Sequence, residues 1–302
     1  MIRKTRAIAF ALFGAAGVAG AAQADPYAIR IGWVQTPGHM APVIEALAKK
    51  HPELFKHLGQ SYTMQPIHFN GSTPQIQAQA IDDLEIASQA PSALALSITN
   101  AHLDERIVAD VLSDGGADYF TENFVVFADG PIKTIDDVKG KRIATNTIGS
   151  ASDSAMRAMF RKHGIKDADF TTIETSFSNM PAMLDGGKVD MIGVLPQFAG
   201  GIIGNPKYKV LFTARDAVGP TQAVVWAIKA KTIADHRAAF VDFFEDSMRG
   251  RRWFQDPANH KEAVAICAEV TKLPADKLDY VFTKKDFYRS PDLVPDVGLM
   301  QK

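Results

Sequence analysis

Lys141-Arg-Ile-Ala-Thr-Asn-Thr147, followed by Ile148-Gly-Ser-Ala-Ser-Asp153, is the stretch on which the fold turns. Its first half is a β-rich run and its second half a turn. Beyond the turn, residues 154–163 carry Met156, Met159 and Phe160 at i, i+3 and i+4, the period of an amphipathic helix. A strand passing through a short turn into a helix is the building unit of α/β proteins. Thr147, Ser150 and Ser152 place hydroxyls where free backbone N–H groups and the positive end of a helix dipole favour an anion. No nucleophile or base stands among them, so the loop points to recognition and away from catalysis.

Outward from this loop the same alternation continues in both directions. Residues 28–34, 62–69, 84–88 and 106–112 read as strands, with helices expected over 41–50, after Ser72 and after Pro91. From Tyr119 the pattern restarts, with strands expected at 123–127, 141–147, 170–174, 189–195 and 209–214, and a further one at 224–228. From Ile233 onward the chain reads as almost all helical, in pieces separated by Asp256-Pro257 and Leu273-Pro274. The second run restates the first without detectable repetition of sequence, which predicts two similar lobes. Loop-like segments at 116–121 and 216–221, each with Gly or Pro between strands, are where the chain would cross.

The expected fold is therefore α/β: two lobes, each a mixed, mainly parallel sheet with helices on both faces, joined by two hinge crossings. Lobe I is expected to comprise residues 25–118 and 220–302, and lobe II residues 119–219. A cleft between such lobes collects the carboxyl ends of strands and the amino ends of helices, where open α/β sheets bind ligands.

Compartment and charge narrow the function. Met1-Ile-Arg-Lys-Thr-Arg6 is basic, residues 7–20 are small and apolar, and Ala22-Gln-Ala24 precedes Asp25. These features predict a secretory signal cleaved after Ala24 and a periplasmic protein; a membrane anchor needs about 20 strongly apolar residues. Removal of residues 1–24 takes Arg3, Lys4 and Arg6 and no acid from 33 basic and 34 acidic residues, leaving a net charge of −4. Nucleic acid is not an expected partner. Cys267 is the only cysteine, which excludes an intrachain disulfide and a Cys-cluster metal site. The sequence holds no His-x-x-x-His pair, Gly-x-Ser-x-Gly elbow, P-loop or Rossmann fingerprint. No metal, cofactor or catalytic residue is expected.

Asp136-Asp-Val-Lys-Gly-Lys-Arg-Ile-Ala144, the serine-rich turn to Asp153 and Gly186-Gly-Lys-Val-Asp190 resemble, in order and spacing, the solute-binding proteins of ABC importers. The resemblance is to the nitrate, sulfonate and taurine group. Ile29-Arg-Ile-Gly32, and residues 84–88 leading to Ala90-Pro91, match that group's first-lobe landmarks. The likeness covers nearly the whole mature chain and implies a two-lobed periplasmic-binding-protein architecture. It also implies a monomer that takes a small anionic or zwitterionic molecule and hands it to an ABC permease and its ATPase. Gly32-Trp-Val-Gln-Thr-Pro-Gly38 departs from the family's usual loop, which leaves sulfonate, nitrate, carboxylate and larger uncharged ligands open. Two alternatives stand beside this reading. One is the receptor of a tripartite ion-driven transporter, whose Gly-rich threonine motif is missing from residues 33–40; the other is a same-fold enzyme of pyrimidine-precursor type, whose Cys-rich motif is missing.

The expected ligand-binding residues sit mostly at helix starts: Gln35 and Thr36; Ser72 and Thr73; Ser88, Pro91 and Ser92; Thr147, Ser150 and Ser152; and Asn179. These loops contain no Arg or Lys, so an anion would be held by neutral donors and helix dipoles, the latter worth roughly 0.3–1 kcal/mol each. Trp33 and Phe120 would wall the apolar part of a ligand, and Gln197 would reach in after Pro196. His39 adjoins the cleft, and Glu122 would meet the cationic end of a zwitterion such as taurine. The plainer account of each Ser or Thr is that it caps its own helix.

Overall fold

The β-branched and aromatic runs become ten strands in the computed structural model, which describes residues 25–116 and 118–300. The expected signal segment, residues 1–24, lies outside the described residues. β1 (Tyr27–Trp33) and β2 (Tyr62–His68) pair in parallel, and a parallel bridge between Ile31 and Ile86 leads from β1 to β3 (Ala87–Gln89). β3 and β4 (Glu105–Asp114) flank β10 (Thr221–Lys229), which runs antiparallel to both. The first sheet is thus ordered β2-β1-β3-β10-β4.

The second sheet repeats this plan. β6 (Arg142–Thr145) and β7 (Thr171–Glu174) pair in parallel, and a bridge between Ile143 and Met191 leads to β8 (Ile192–Val194). β5 (Asn123–Phe127) lies antiparallel between β8 and β9 (Tyr208–Thr213), giving the order β7-β6-β8-β5-β9. In each sheet the antiparallel strand is the one the chain enters on crossing from the other lobe. Each sheet is therefore mixed, parallel on one side and antiparallel where the crossing strand is inserted.

Helices fill the connections: α1 (Ala41–Lys50), α2 (Ser72–Ala80) and α3 (Pro91–Asn100) against the first sheet, and α4 (Ala151–Lys162), α5 (Met180–Asp185), α6 (Pro196–Ala199) and α7 (Ala214–Val218) against the second. α4 shows why these residues make a helix. Ser150 is its N-cap, the Ser150 Oγ accepting the Asp153 N–H at 3.3 Å, and Arg161 and Lys162 occupy the last turn, where a cation complements the dipole. Its inner face buries Met156, Met159 and Phe160 beside Ile143, Val138 and Phe212; each such burial stabilises by about 1.5–3 kcal/mol.

The C-terminal segment returns to the first lobe as α8 (Ala230–Asp235), α9 (Arg237–Gln255), α10 (His260–Thr271) and the short α11 (Val297–Met300). The expectation of helix to the end fails over residues 272–296. Lys272 adopts a left-handed conformation that closes α10, and Pro274, Pro291 and Pro295 interrupt the stretch between α10 and α11. This tail is fixed instead by a bridge from Ser113 to Tyr288 and by the buried pair Arg289–Asp286.

The two crossings lie side by side. One runs from Asp114 at the end of β4 to β5, and the other from β9 through α7 to β10. Gly115 and Gly219 have positive φ, and a Cβ on Gly115 would sit 3.1 Å from the Gly219 carbonyl oxygen, so neither turn suits a larger residue. The Arg215 guanidinium donates to the Gly115 carbonyl at 2.8 Å, to that of Gly116, and to that of Tyr119 at 3.4 Å, tying one crossing to the other.

Candidate functional site

A cavity of about 410 Å³ lies between the two sheets, at the carboxyl ends of their strands. The β1–α1, β2–α2 and β3–α3 turns supply one wall, the β6–α4 and β8–α6 turns the other, and the crossings its floor. Proline opens α3 and α6 and stands in the first turn of α1, where a missing N–H removes nothing from the helix ladder. Much of the lining is apolar, with Leu112, Phe177, Leu195 and Phe287 facing in.

Of the residues expected from sequence, Gln35, His39, Ser72, Ser88, Pro91 and Ser92 line the cavity from the first lobe, Ser150, Ser152 and Gln197 from the second, and Glu122 from the crossing. Six others do not. Trp33 packs on His68, its partner across the ladder, with ring centroids 4.6 Å apart. Thr36 is buried behind the wall, its hydroxyl without a partner. Thr73 and Thr147 line a separate, shallower groove at the rim, and their hydroxyls donate to the carbonyls of Ile148 (3.0 Å) and Asn146 (2.7 Å). Phe120 packs edge-on against Phe287, and it is Phe287 that reaches the cavity. Asn179 stays exposed ahead of α5.

Most hydroxyls on the wall are already engaged. Ser88 Oγ donates to the Gly32 carbonyl at 2.7 Å and accepts the Trp226 indole N–H at 2.9 Å. Ser72 Oγ accepts the Ala90 N–H at 3.2 Å, and Ser150 Oγ donates to Asn146 Oδ1 at 2.7 Å while capping α4. The amides of the expected anion loop also have partners within the protein. Ile148 N–H donates to Glu174 at 2.6 Å and Gly149 N–H to Asp153 at 2.9 Å. The loop on which an anion seat was expected thus spends two of its N–H groups on the chain's own carboxylates.

The ionisable groups tell a different story. Glu122 is buried, and its Oε1 accepts the Ser152 hydroxyl at 2.6 Å. Gly193 of β8 makes room for that oxygen, since a Cβ there would lie 2.3 Å from it. Burial pushes the Glu122 carboxyl up to about 8; the Ser152 hydrogen bond opposes the shift and neighbouring Asp114 reinforces it. Asp114 is itself raised to about 6 by burial, against hydrogen bonds from Thr121, Glu122 and Gly115 and the charge of Arg215. Across the cavity, His39 is buried with its Nδ1 unpartnered, and burial, aided by the positive Arg289, lowers it to about 3. His39 is therefore neutral at physiological pH. Asp286 also lines the cavity, held by Arg289 at 2.9 Å. Among the described residues, no Lys or Arg is on the wall.

The lobes touch around the cavity. Gln197 donates to Gln35 at 3.1 Å, Asn146 to the Asn70 carbonyl at 2.9 Å, and the hydroxyls of Ser92 and Ser154 lie 3.0 Å apart. Gly71 permits this approach, because a Cβ there would come within 2.5 Å of Thr147. Sequence reasoning missed Asp114, Asn146, Gln222, Tyr280, Asp286 and Phe287 as wall residues. A strand ending in Asp114-Gly-Gly at a crossing was a usable signal for the first; the tail residues carried none. Among the described residues, no three His, Cys, Asp or Glu side chains gather as a metal site, and no helix is long and apolar enough to cross a membrane.

Residues 116–259 match the family described as NMT1/THI5 like. No curated protein sequence matches the chain significantly. Among solved structures, the alkanesulfonate-binding protein SsuA from Xanthomonas axonopodis pv. citri bound to MOPS superimposes with a TM-score of 0.67 at 18% identity, over 89% of this chain and 86% of that one. The periplasmic aliphatic sulphonate-binding protein SsuA from Escherichia coli gives 0.64 at 19%, over 88% and 86%. The periplasmic nitrate-binding protein NrtA from Synechocystis PCC 6803 gives 0.64 at 11%, over 90% and 75%. The fold is that of periplasmic binding proteins, and the resemblance read from the sequence lies with this group.

Proposed function

We propose that this chain, with the periplasmic-binding-protein fold and an NMT1/THI5-like match over residues 116–259, captures a small organic solute between its lobes and delivers it to an ABC import permease. The observation that carries the reading is a cavity assembled from helix-start turns of both lobes, with direct contacts between the lobes around it. A ligand there touches both lobes at once, so it stabilises the closed arrangement over the open one; this is how domain closure is coupled to occupancy. The hinges in this reading are the crossings at residues 115–122 and 214–220, with residues 25–118 and 220–302 forming one lobe and 119–219 the other. The basic and apolar start of the chain supports export to the periplasm, and the mature protein would act as a monomer.

Sulfonates, nitrate and the zwitterion taurine are the ligands suggested by the sequence, and the sulfonate-binding SsuA and nitrate-binding NrtA neighbours support an anion. Capture without chemistry is the proposed activity. The Ser88 and Ser150 hydroxyls donate to a backbone carbonyl and an amide oxygen, and so are not poised as nucleophiles beside a base.

The test uses residues 25–302 in a thermal-shift and small-angle-scattering screen across sulfonates, oxyanions, carboxylates, amines and heterocycles. One class should raise the melting temperature, since a ligand at 100 times its Kd adds about 2.7 kcal/mol, and should shrink the radius of gyration. The ligand should be recovered unchanged after hours of incubation. A screen without stabilisation would sink solute capture, and a new product would overturn the non-catalytic reading.

A further inference from the structure

We infer that the cleft selects an organic cation, an ammonium or amidinium on an apolar body with no anionic group, seated on Glu122 at the crossing between the lobes. The inference rests on solute capture as proposed above and specifies its ligand.

Three features of the cavity and its rim point this way. First, the wall carries acids without cations. Glu122 and Asp114 share one corner, the Glu122 N–H donating to Asp114 Oδ2 at 3.1 Å, and Ser152 gives Glu122 its only side-chain hydrogen bond among the described residues. The basic side chains nearby are committed elsewhere: Arg215 to the carbonyls of the crossing, and Arg289 to Asp286 and to the Gly38 carbonyl at 3.3 Å. An anion placed here would lose its hydration beside carboxyl groups, with no positive partner to offset the cost.

Second, Nδ1 of the neutral His39 is buried and lacks a partner among the described residues, although its residue forms part of the wall. With the ring proton on Nε2, Nδ1 accepts from a ligand N–H. Third, the amides expected to recognise an anion, those of Ile148 and Gly149, lie in the rim groove outside the cavity and are taken by Glu174 and Asp153. Leu112, Phe177, Leu195 and Phe287 leave the rest of the cavity suited to an uncharged apolar body.

A proton accompanies this recognition. The groups facing Glu122 are Ser152 on α4, Asp114 at the end of β4 and Gly193 on β8, with Arg215 on α7 acting on Asp114. Burial leaves Glu122 mostly protonated at pH 7. A cation favours the ionised form, so binding expels one proton and affinity rises with pH, by up to tenfold per unit between pH 6 and 8, and levels off above.

The experiment is calorimetry on residues 25–302 at pH 6, 7 and 8.5 with butylamine, 1,4-diaminobutane and benzamidine, set against butanesulfonate, benzenesulfonate, taurine and nitrate. At least one cation should bind at least tenfold tighter at pH 8.5 than at pH 6, with heats that vary with the buffer's ionisation enthalpy, and Glu122→Gln should weaken it at least tenfold at pH 8.5. Should Glu122→Gln not fold, the wild-type pH dependence and proton release carry the test. Cation binding that is independent of pH and unchanged in Glu122→Gln overturns the seat. Binding of the anions but not the cations overturns the inference and leaves solute capture standing, whereas failure of these cations together with an empty wider screen takes both down.

Discussion

Two turns meet at the floor of the cleft, where Ser152 of one donates to Glu122 of the other, and they treat their polar groups in opposite ways. The 146–153 turn is rich in hydroxyls and amides, yet Ser150, Gly149, Ile148 and Thr147 are all bonded to neighbouring protein groups. The 114–122 crossing has fewer hydroxyls, but Glu122 and Asp114 are buried without a basic partner on the wall. A polar group contributes to recognition through the hydrogen bond or charge it still has to offer, since one already satisfied exchanges a good partner for another at little net gain. The turn that looks most like a binding loop is mainly a folding device, and the plainer crossing holds the unmet electrostatic demand.

This contrast can be broken most sharply at Glu122. Its carboxyl is raised to about 8 from an ordinary 4.5, so its stabilising contribution is complete below pH 4.5 and is lost as pH rises through 8. Asp114, raised to about 6, acts in the same sense at lower pH. His39, lowered to about 3, acts in the opposite sense, its contribution present above pH 6.5 and lost as pH falls toward 3. Above pH 6.5 Glu122 sets the slope among these three. The ligand-free protein should lose about 2 kcal/mol between pH 6.5 and 8, at about 1.4 kcal/mol per pKa unit, a drop of several degrees in melting temperature; Glu122→Gln should flatten that fall. A wild-type melting temperature that does not change over this range would show Glu122 to be ordinary.

Gly193→Ala comes next. The added methyl meets the Glu122 oxygen at 2.3 Å, and overpacking of this kind costs about 1–3 kcal/mol. Ligand affinity should fall with stability, as read by calorimetry and thermal melts; an unchanged affinity would separate Glu122 from recognition. On the neighbouring turn, Ser150→Ala should cost about 1 kcal/mol of stability as a lost helix cap while altering affinity less than threefold. A larger loss of affinity than of stability would return the hydroxyl loop to the centre of the site. The smallest effect is expected for Gln197→Ala, which removes one contact between the lobes at 3.1 Å. It should shift the open–closed balance by about 1 kcal/mol or less, visible as a slightly larger radius of gyration by scattering.

The same contrast explains what was legible in the sequence. The strand, turn and helix at 141–163 announce themselves locally, because period, cap and apolar face all fall within one short segment. The alternation announces the α/β class, whereas the strand order, with an antiparallel strand inserted in each sheet, depends on long-range pairing that no local pattern carries. Glu122 was identifiable as a residue near a crossing, but its burial depends on Gly193, far along the chain, and its raised pKa is reinforced by Asp114. Tyr280, Asp286 and Phe287 were missed because their segment has no period; it is pinned by Arg289 and by the pairing of Tyr288 with Ser113. Trp33 was misplaced for a related reason, since its partner on β2, His68, covers the indole.

Arg215 gives the molecule a mechanical property as well as a structural one. Two ribbons between two bodies ordinarily permit bending, twisting and shear independently. Here a single guanidinium fastens α7 to three carbonyls of the neighbouring ribbon, so in the proposed closure the two connections would move together as one pivot. A swing about that pivot moves the rims of the lobes furthest and the Asp114–Glu122 corner least. On that reading the two carboxyl groups at the axis would be in place before the lobes close, and a solute would be held at the pivot while the outer walls still travel.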